Sequence, residues 1–303
     1  MKTITARINN IICLAPEYRR PLPPVPKSVK IELTARCDLQ CFFCAAHTRL
    51  RARSDMSWEF YARIVKQMRD LGVEELGVFY MGESFLCDWL ADSIRYAKRE
   101  CGYPYVFLTT NGRLATAERA RSCMLAGLDS LKFSFNFCGP RQFTDFTGAS
   151  AAGYRTVVNN IQDARWIRDY VADTTGHRCG IYASSLIYDD GQRERMQDAV
   201  DKILPYVDEH YWLPFYGRAR LPDSAGGARK RLPCWGLFTE GHITYDGQLS
   251  ACGLDHNARF HMGDLNHVSF MDAWHAPAFQ ALRAAHLKGK VSSTVCEHCI
   301  GYD

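Results

Sequence analysis

Val29-Lys-Ile-Glu-Leu-Thr34 alternates with the period of a strand, and just beyond it comes Cys37-Asp-Leu-Gln-Cys41-Phe-Phe-Cys44. Three thiols this close in sequence form a tight loop that can converge on one centre. A thiolate-rich set suits zinc or iron–sulfur. A structural zinc wants four protein ligands, and His47 is the only nearby candidate for the fourth. A cubane held by three cysteines instead leaves one iron open to a non-protein ligand.

Outward from this loop, the pattern repeats. Ser57–Leu71 reads as a helix, with Ser57 as N-cap, Phe60, Ile64, Met68 and Leu71 on one face, and Gly72 to end it. Strands are expected at Leu76–Met81, Tyr105–Thr110, Leu131–Phe137, Cys179–Ile187 and His210–Tyr216. Helical patterns lie between them, around Asp88–Glu100, Thr116–Ala126, Tyr154–Tyr170 and Gln192–Leu204. Alternating strands and helices argue for an α/β fold with a parallel sheet and right-handed crossovers. Six such units fall short of a closed eightfold barrel, so a partial (β/α)6 TIM-like barrel is expected. Ligands gather at the carboxyl ends of such strands, which is where the cysteine loop leaves the first one.

The Cys-x3-Cys-x2-Cys spacing, with Phe43 before the last cysteine and a strand ahead, resembles the signature of the radical S-adenosylmethionine (radical SAM) enzymes. The resemblance implies the same partial barrel over about residues 29–217. It also implies a [4Fe–4S] cluster on Cys37, Cys41 and Cys44, with S-adenosylmethionine on the open iron and a flavodoxin- or ferredoxin-type reductant as partner. Phe43 is then a cofactor-binding candidate. Met81-Gly82-Glu83-Ser84 resembles the family's Gly-Gly-Glu-Pro segment, departing from it at Met81 and Ser84. Gly82 would let backbone approach the methionine moiety, and the Glu83 carboxylate would accept from its ammonium group. Strict alternation in Lys132–Cys138 turns Ser134, Asn136 and Cys138 inward with Lys132, making Ser134 and Asn136 candidates for ribose or carboxylate contacts. Thr110-Asn111-Gly112 is a second, weaker candidate segment. The fifth strand offers only Gly180 and Ser184-Ser185.

A second cysteine set comprises Cys234, Cys252 and the pair Cys296-Glu-His-Cys299. Its spacing resembles the twitch form of the SPASM extension, which implies one auxiliary [4Fe–4S] cluster; His298 is read as a bystander. A zinc ribbon with the same four thiolates is the alternative. The chain therefore divides into an N-terminal arm (1–28), the barrel (29–217), a linker (218–233) and a small α+β cluster domain (234–303). The arm, with its prolines, is expected to be extended or loosely ordered. The linker carries Gly226-Gly227 and the basic run Arg229-Lys230-Arg231. Ile243–Ala251 reads as a hairpin turning at Asp246-Gly247, and Phe270–Leu287 as one helix.

Composition narrows the classes. Hydrophobic residues make up 47% and charged residues 23%, near a globular average, which excludes disorder and fibrous folds. A net charge of +4 gives no argument for nucleic acid, and no run reaches membrane-spanning length. Thirteen cysteines cannot all pair within one chain, and Met1–Leu14 lacks an apolar secretory core. A cytoplasmic, metal- or redox-active protein is expected.

Twitch-type relatives with this layout oxidise or invert a carbinol carbon of aminoglycosides and aminocyclitols, so the resemblance implies hydrogen abstraction from such a carbohydrate. Epimerisation is placed ahead of dehydrogenation, with Cys138 as the catalytic thiol delivering hydrogen and Cys87 or Cys179 as substitutes. A SPASM-type maturase acting on a ribosomally made peptide is the alternative enzyme. The 28 residues before the first strand are expected to be too few for a peptide-recognition domain. A zinc-stabilised binding module is the non-enzymatic alternative.

Overall fold

The computed structural model describes residues 3–44, 50–214, 233–260, 262–297 and 299. Among them, one sheet is built from β1 (Ser28–Ile31), β2 (Glu75–Gly77), β3 (Tyr105–Thr110), β4 (Ser130–Ser134), β5 (Gly180–Ile187), β6 (Glu209–Pro214), β7 (Glu240–Ile243), β8 (Gln248–Ser250) and β9 (Gly263–Asp264). Its order is β6-β5-β4-β3-β2-β1-β7-β8-β9. Pairing is parallel from β6 through β1 to β7 and antiparallel beyond. Between the parallel strands run α2 (Trp58–Asp70), α3 (Leu90–Arg95), α4 (Ala117–Ala126), α5 (Pro140–Thr147), α6 (Ala152–Thr175) and α7 (Gln192–Ile203). This is the expected partial barrel: an α/β sheet whose apolar face, including Val106, Leu108, Leu131 and Phe133, is covered by helices.

Local chemistry explains several boundaries. The Ser57 hydroxyl caps α2 by accepting from the Phe60 N–H at 3.2 Å, and Gly72 (φ +102°) follows its end. The hairpin turns at Gly247 (φ +84°), where an added Cβ would stand 2.6 Å from Asn266 Nδ2. The hairpin does not stand apart from the barrel, because β7 pairs with β1 over Ser28–Ile31.

Other expectations are corrected. The arm is not extended throughout: α1 (Ile4–Ile12) forms under a Thr3 cap, with Ile4, Ile8 and Ile11 on one face. It lies across the N-terminal strand ends, where Thr5 bonds Glu209 and Arg7 pairs with Glu75. The helix read over Phe270–Leu287 is two, α8 (Phe270–Trp274) and α9 (Pro277–Leu287), because Pro277 has no N–H with which to continue a helix. The helix read over Asp88–Glu100 shortens to α3 and a wide turn at Tyr96–Glu100. Most of the 218–233 segment, with its basic run, lies outside the described residues, as do His47 and His298. No described helix is long and apolar enough to cross a membrane.

Candidate active site

The cysteine loop emerges from β1 and is clamped on both sides. On one side Ala35 N–H donates to Ser54 O at 2.8 Å, and Arg36 donates to both Asp55 oxygens (2.8 and 2.7 Å) and to Leu86 O (2.7 Å). On the other, Gln40 N–H and Phe42 N–H donate to Thr147 O (3.0 Å) and Phe146 O (2.9 Å) at the end of α5. Aromatic packing completes the clamp. Phe42 meets Phe146 at 4.7 Å, and Phe43 meets Tyr188 at 5.4 Å and Phe137 at 6.3 Å between centroids. Phe43 therefore fixes the loop against the ends of β4 and β5.

β2 stops at Gly77, short of the expected Met81, and the segment after it presses against this loop. Glu83 N–H donates to Arg36 O at 2.8 Å. A Cβ on Gly82 would stand 2.1 Å from Thr34 O and 2.7 Å from Arg36 O, so only glycine fits. The Glu83 side chain caps the short turn at Ser84 and is 2% exposed. Its oxygens accept from Thr110 Oγ1 (2.8 Å), Asn111 N–H (2.7 Å) and Phe85 N–H (3.2 Å). Burial pushes this carboxyl up to about 7 despite those bonds. Glu83 thus ties the segment after β2 to the end of β3 behind the cysteine loop.

Asn111 has a larger place than the sequence assigned it. Its Nδ2 donates to Asp38 Oδ1 at 2.7 Å and lies 3.9 Å from Cys37 Sγ. Arg113 joins it, with Nη1 3.1 Å from both Asp38 Oδ2 and Asp38 O. Asp38 and Arg113 were not singled out from sequence. A charged residue inside the cysteine spacing and a cation just after the β3 turn were the available signals. Asn160 on α6 holds that turn by donating to Gly112 O at 2.7 Å.

The other candidates are more dispersed. Ser134 ends β4 on the same face as Lys132 and registers with Ser184 of β5. Asn136 Oδ1 accepts from Leu186 N–H at 3.1 Å, so the amide spans the ends of β4 and β5. β4 stops at Ser134, and the strand period does not carry on to Cys138. Half-buried Cys138 instead begins the entry to α5, its N–H donating to Gln142 Oε1 at 2.8 Å. Cys87 is buried in the turn after Glu83, while buried Cys179 precedes β5 at the opposite end of the sheet.

Burial pushes the Cys37 thiol up to about 12 and raises Cys41 as well; neighbouring thiols add to both shifts. In the second set, burial and then Cys234 and Cys299 raise Cys252 to about 12. Cys234 comes from the chain before β7, Cys252 from the turn after β8, and Cys296 and Cys299 from the chain after α9. The Tyr80 hydroxyl links this set to the segment after β2 by donating to Cys252 O and Gly253 O, each at 3.3 Å. Within each set the thiols lie near enough to raise one another's pKa, which fits ligands that share one centre. Binding would replace their protons with metal.

Comparison with known proteins agrees. Residues 31–171 match the model of the Radical SAM superfamily, and residues 234–300 match an iron–sulfur cluster-binding domain, SPASM. The chain carries a radical SAM domain followed by a SPASM domain. The first implies a [4Fe–4S] cluster with S-adenosylmethionine, the second additional iron–sulfur. In sequence, the chain is 32% identical over 146 residues to a PqqA peptide cyclase of Streptomyces rochei. That match covers 48% of this chain and 38% of the relative, so the chain spans less than two fifths of such relatives' length. In structure it is similar to BtrN in complex with AdoMet and 2-DOIA (TM-score 0.56, 14% identity, 87% of both chains). It is also similar to SuiB of Streptococcus suis bound to precursor peptide SuiA (TM-score 0.67, 13% identity, 92% of this chain and 69% of that one). At such identities the two structures speak for the fold.

Proposed function

We propose that this protein is a radical SAM enzyme that abstracts hydrogen from carbon on a peptide substrate. The observation that carries the substrate class is the 32% identity to a PqqA peptide cyclase. The likeness to SuiB, solved with a precursor peptide, supports it. Cys37, Cys41 and Cys44 hold the first cluster, and Cys234, Cys252, Cys296 and Cys299 the second. With S-adenosylmethionine on the first cluster and an electron supplied by a reductant, the bound pair delivers hydrogen-atom abstraction.

The chain's own residues set up that event. The clamp from Arg36 to Asp55 and from Phe42 to Phe146 holds the cysteine loop in one position. Gly82 brings backbone beside the loop, and Glu83 ties the segment after β2 to the end of β3 behind it. Asp38, Asn111 and Arg113 form a polar wall next to Cys37, suited to the amino-acid end of the cofactor. Phe43, Phe137 and Tyr188 exclude water from the side facing α5. Ser134 and Asn136 offer polar groups at the β4 end for the ribose. The Tyr80 contact to Cys252 O provides a packed connection between the two cysteine sets.

The likeness to BtrN, covering 87% of both chains, favours a second reading: oxidation or inversion of a carbinol carbon on an aminocyclitol or aminoglycoside. Cys138 then supplies the hydrogen for inversion. Incubating the anaerobically reconstituted protein with S-adenosylmethionine and reductant separates the readings. A candidate precursor peptide that loses a hydrogen pair supports the first. Deuterium incorporated from deuterium oxide into an aminoglycoside, or a ketone formed on it, overturns it in favour of the second. Zinc in place of iron, with no cofactor cleavage, overturns both.

A further inference from the structure

The inner face of the sheet and α1 enclose a cavity of about 230 Å³ at the N-terminal side of the barrel. Ile4, Ile8, Ile11 and Leu213 make part of its wall apolar. Charged groups line the strand side, and most are paired. Lys30 Nζ lies 2.7 Å from Glu240 Oε1, and Arg7 Nη2 lies 2.5 Å from Glu75 Oε1.

Lys132 is the exception. It stands mid-way along β4, its Nζ 5.8 Å from the centroid of the Tyr211 ring, with no hydrogen bond or ion pair among the described residues. Burial, with Lys30 nearby, holds its pKa down to about 8, so the amine still carries charge at neutral pH. Lys132 is half-buried, and a cation lining such a cavity without a counter-charge leaves the cavity with a net positive charge. Ser28, which lines the cavity from the start of β1, is also unsatisfied. Ser28 Oγ, on a residue 1% exposed, has no hydrogen-bond partner.

The position is suited to a ligand. Thr109 pairs with Lys132 in the sheet, and Ser134 lies on the same face of β4. A two-residue step along a strand is about 7 Å, so a group held at Lys132 would lie one such step from Ser134, on the N-terminal side of it. One unpaired cation facing apolar walls matches a single negative charge on a short aliphatic stem. A phosphate would demand more donors.

We propose that Lys132 anchors the substrate by pairing with a carboxylate that the substrate inserts into the barrel. This deepens the reading of the protein as a substrate-binding radical SAM enzyme and rests on it. The residue that reacts then sits above the anchored carboxylate, toward the cofactor end.

Butyrate and butyramide, which differ in charge but little in shape, test the anchor on the full chain by ligand-observed NMR without turnover. Wild-type protein should bind butyrate about tenfold more tightly than butyramide, a value within the range of a charged hydrogen bond. Lys132→Met should erase that preference and Lys132→Arg should retain it. Because Lys132→Met removes a half-buried charge that has no counter-charge, its Tm should equal or exceed the wild-type value; a lowered Tm would instead mark Lys132 as structural. Equal binding of the two probes by wild type, or a preference that survives in Lys132→Met, overturns the anchor. Turnover does not enter the binding result. An intact preference with no peptide modified therefore counts against the proposed reaction alone.

Discussion

The two cysteine sets use thiols in different ways. The first lies in a single loop of eight residues, held by backbone bonds to α5 and by a ring cluster. The second draws its thiols from separate segments, gathered only when β7 joins β1 and when α8 and α9 pack behind the hairpin. A site carried on one loop depends on the geometry of that loop. A site gathered from distant segments depends on the tertiary fold around it. The two should therefore fail separately, and by different causes.

The sharpest break removes one ligand from each. Cys41→Ala should abolish reductive cleavage of S-adenosylmethionine while leaving about four irons per chain in the second site. Cys252→Ala should lose a similar amount of iron yet still cleave the cofactor. Iron analysis with a 5′-deoxyadenosine assay checks both. Cofactor cleavage surviving in Cys41→Ala would show that the clusters are assigned to the wrong sets.

Gly82→Ala strikes the loop without touching a thiol. Its Cβ would collide with the Thr34 and Arg36 carbonyls, which belong to the backbone that positions Cys37. The expected result is a loss of S-adenosylmethionine binding of about 100-fold or more, in line with misplacement of a catalytic geometry by an ångström. Iron in the second site should be unchanged. Equilibrium dialysis of the reconstituted protein measures the first effect, and near-normal binding would show that the loop can move aside.

The second region should fail through its packing. Arg283 is fully buried and lies over the rings of Trp274 and Phe279 at 4.1 and 4.4 Å. It donates to Leu237 O (2.8 Å), Trp274 O (2.6 Å) and Pro21 O (3.3 Å), and so ties α8, α9, the turn before β7 and the N-terminal arm together. Arg283→Met leaves those carbonyls without their donor and should cost about 3 kcal/mol. For a chain of this size that lowers Tm by about 5 °C or more, measured by thermal unfolding with both clusters loaded. Cofactor cleavage at low temperature should persist.

The same contrast explains what could be read from the sequence. A loop motif is written in consecutive residues, so Cys37, Cys41, Cys44 and the strand before them were legible. So were the Ser57 cap, the Asp246-Gly247 turn and the alternation that puts Lys132 and Ser134 on one face of β4. What the sequence hid lies between segments. Parallel pairing of β7 with β1 leaves no mark in either stretch, and the central place of Asn111 rests on Asp38, 73 residues away. Polar residues in α1 obscured its isoleucine face, which becomes meaningful only against the strand ends. Cys138 was placed inward by a period that ends with β4, because entry into α5 at Gly139-Pro140 bends the chain.

The seam between the two regions should show the smallest effect, as a pH dependence. Glu240 opens β7 beside β1, and its carboxylate pairs with Lys30 at 2.7 Å and with His242 at 3.1 Å. Burial opposes its ionisation, but Lys30 and His242 together hold its pKa well below the ordinary carboxylate range. His242 itself is shifted down by burial, so at neutral pH Lys30 is the cation that keeps Glu240 ionised. A depressed carboxylate pKa stabilises the fold fully above the unfolded-chain value of about 4.3, and that contribution is lost as pH falls below it. Wild type should therefore lose Tm more steeply than Glu240→Gln between about pH 5 and pH 3. At neutral pH the variant should be the less stable of the two, because it leaves Lys30 without its counter-charge. Parallel pH profiles for the two proteins would mean that the pair contributes nothing at the seam, and that backbone pairing of β1 with β7 holds the two regions together unaided.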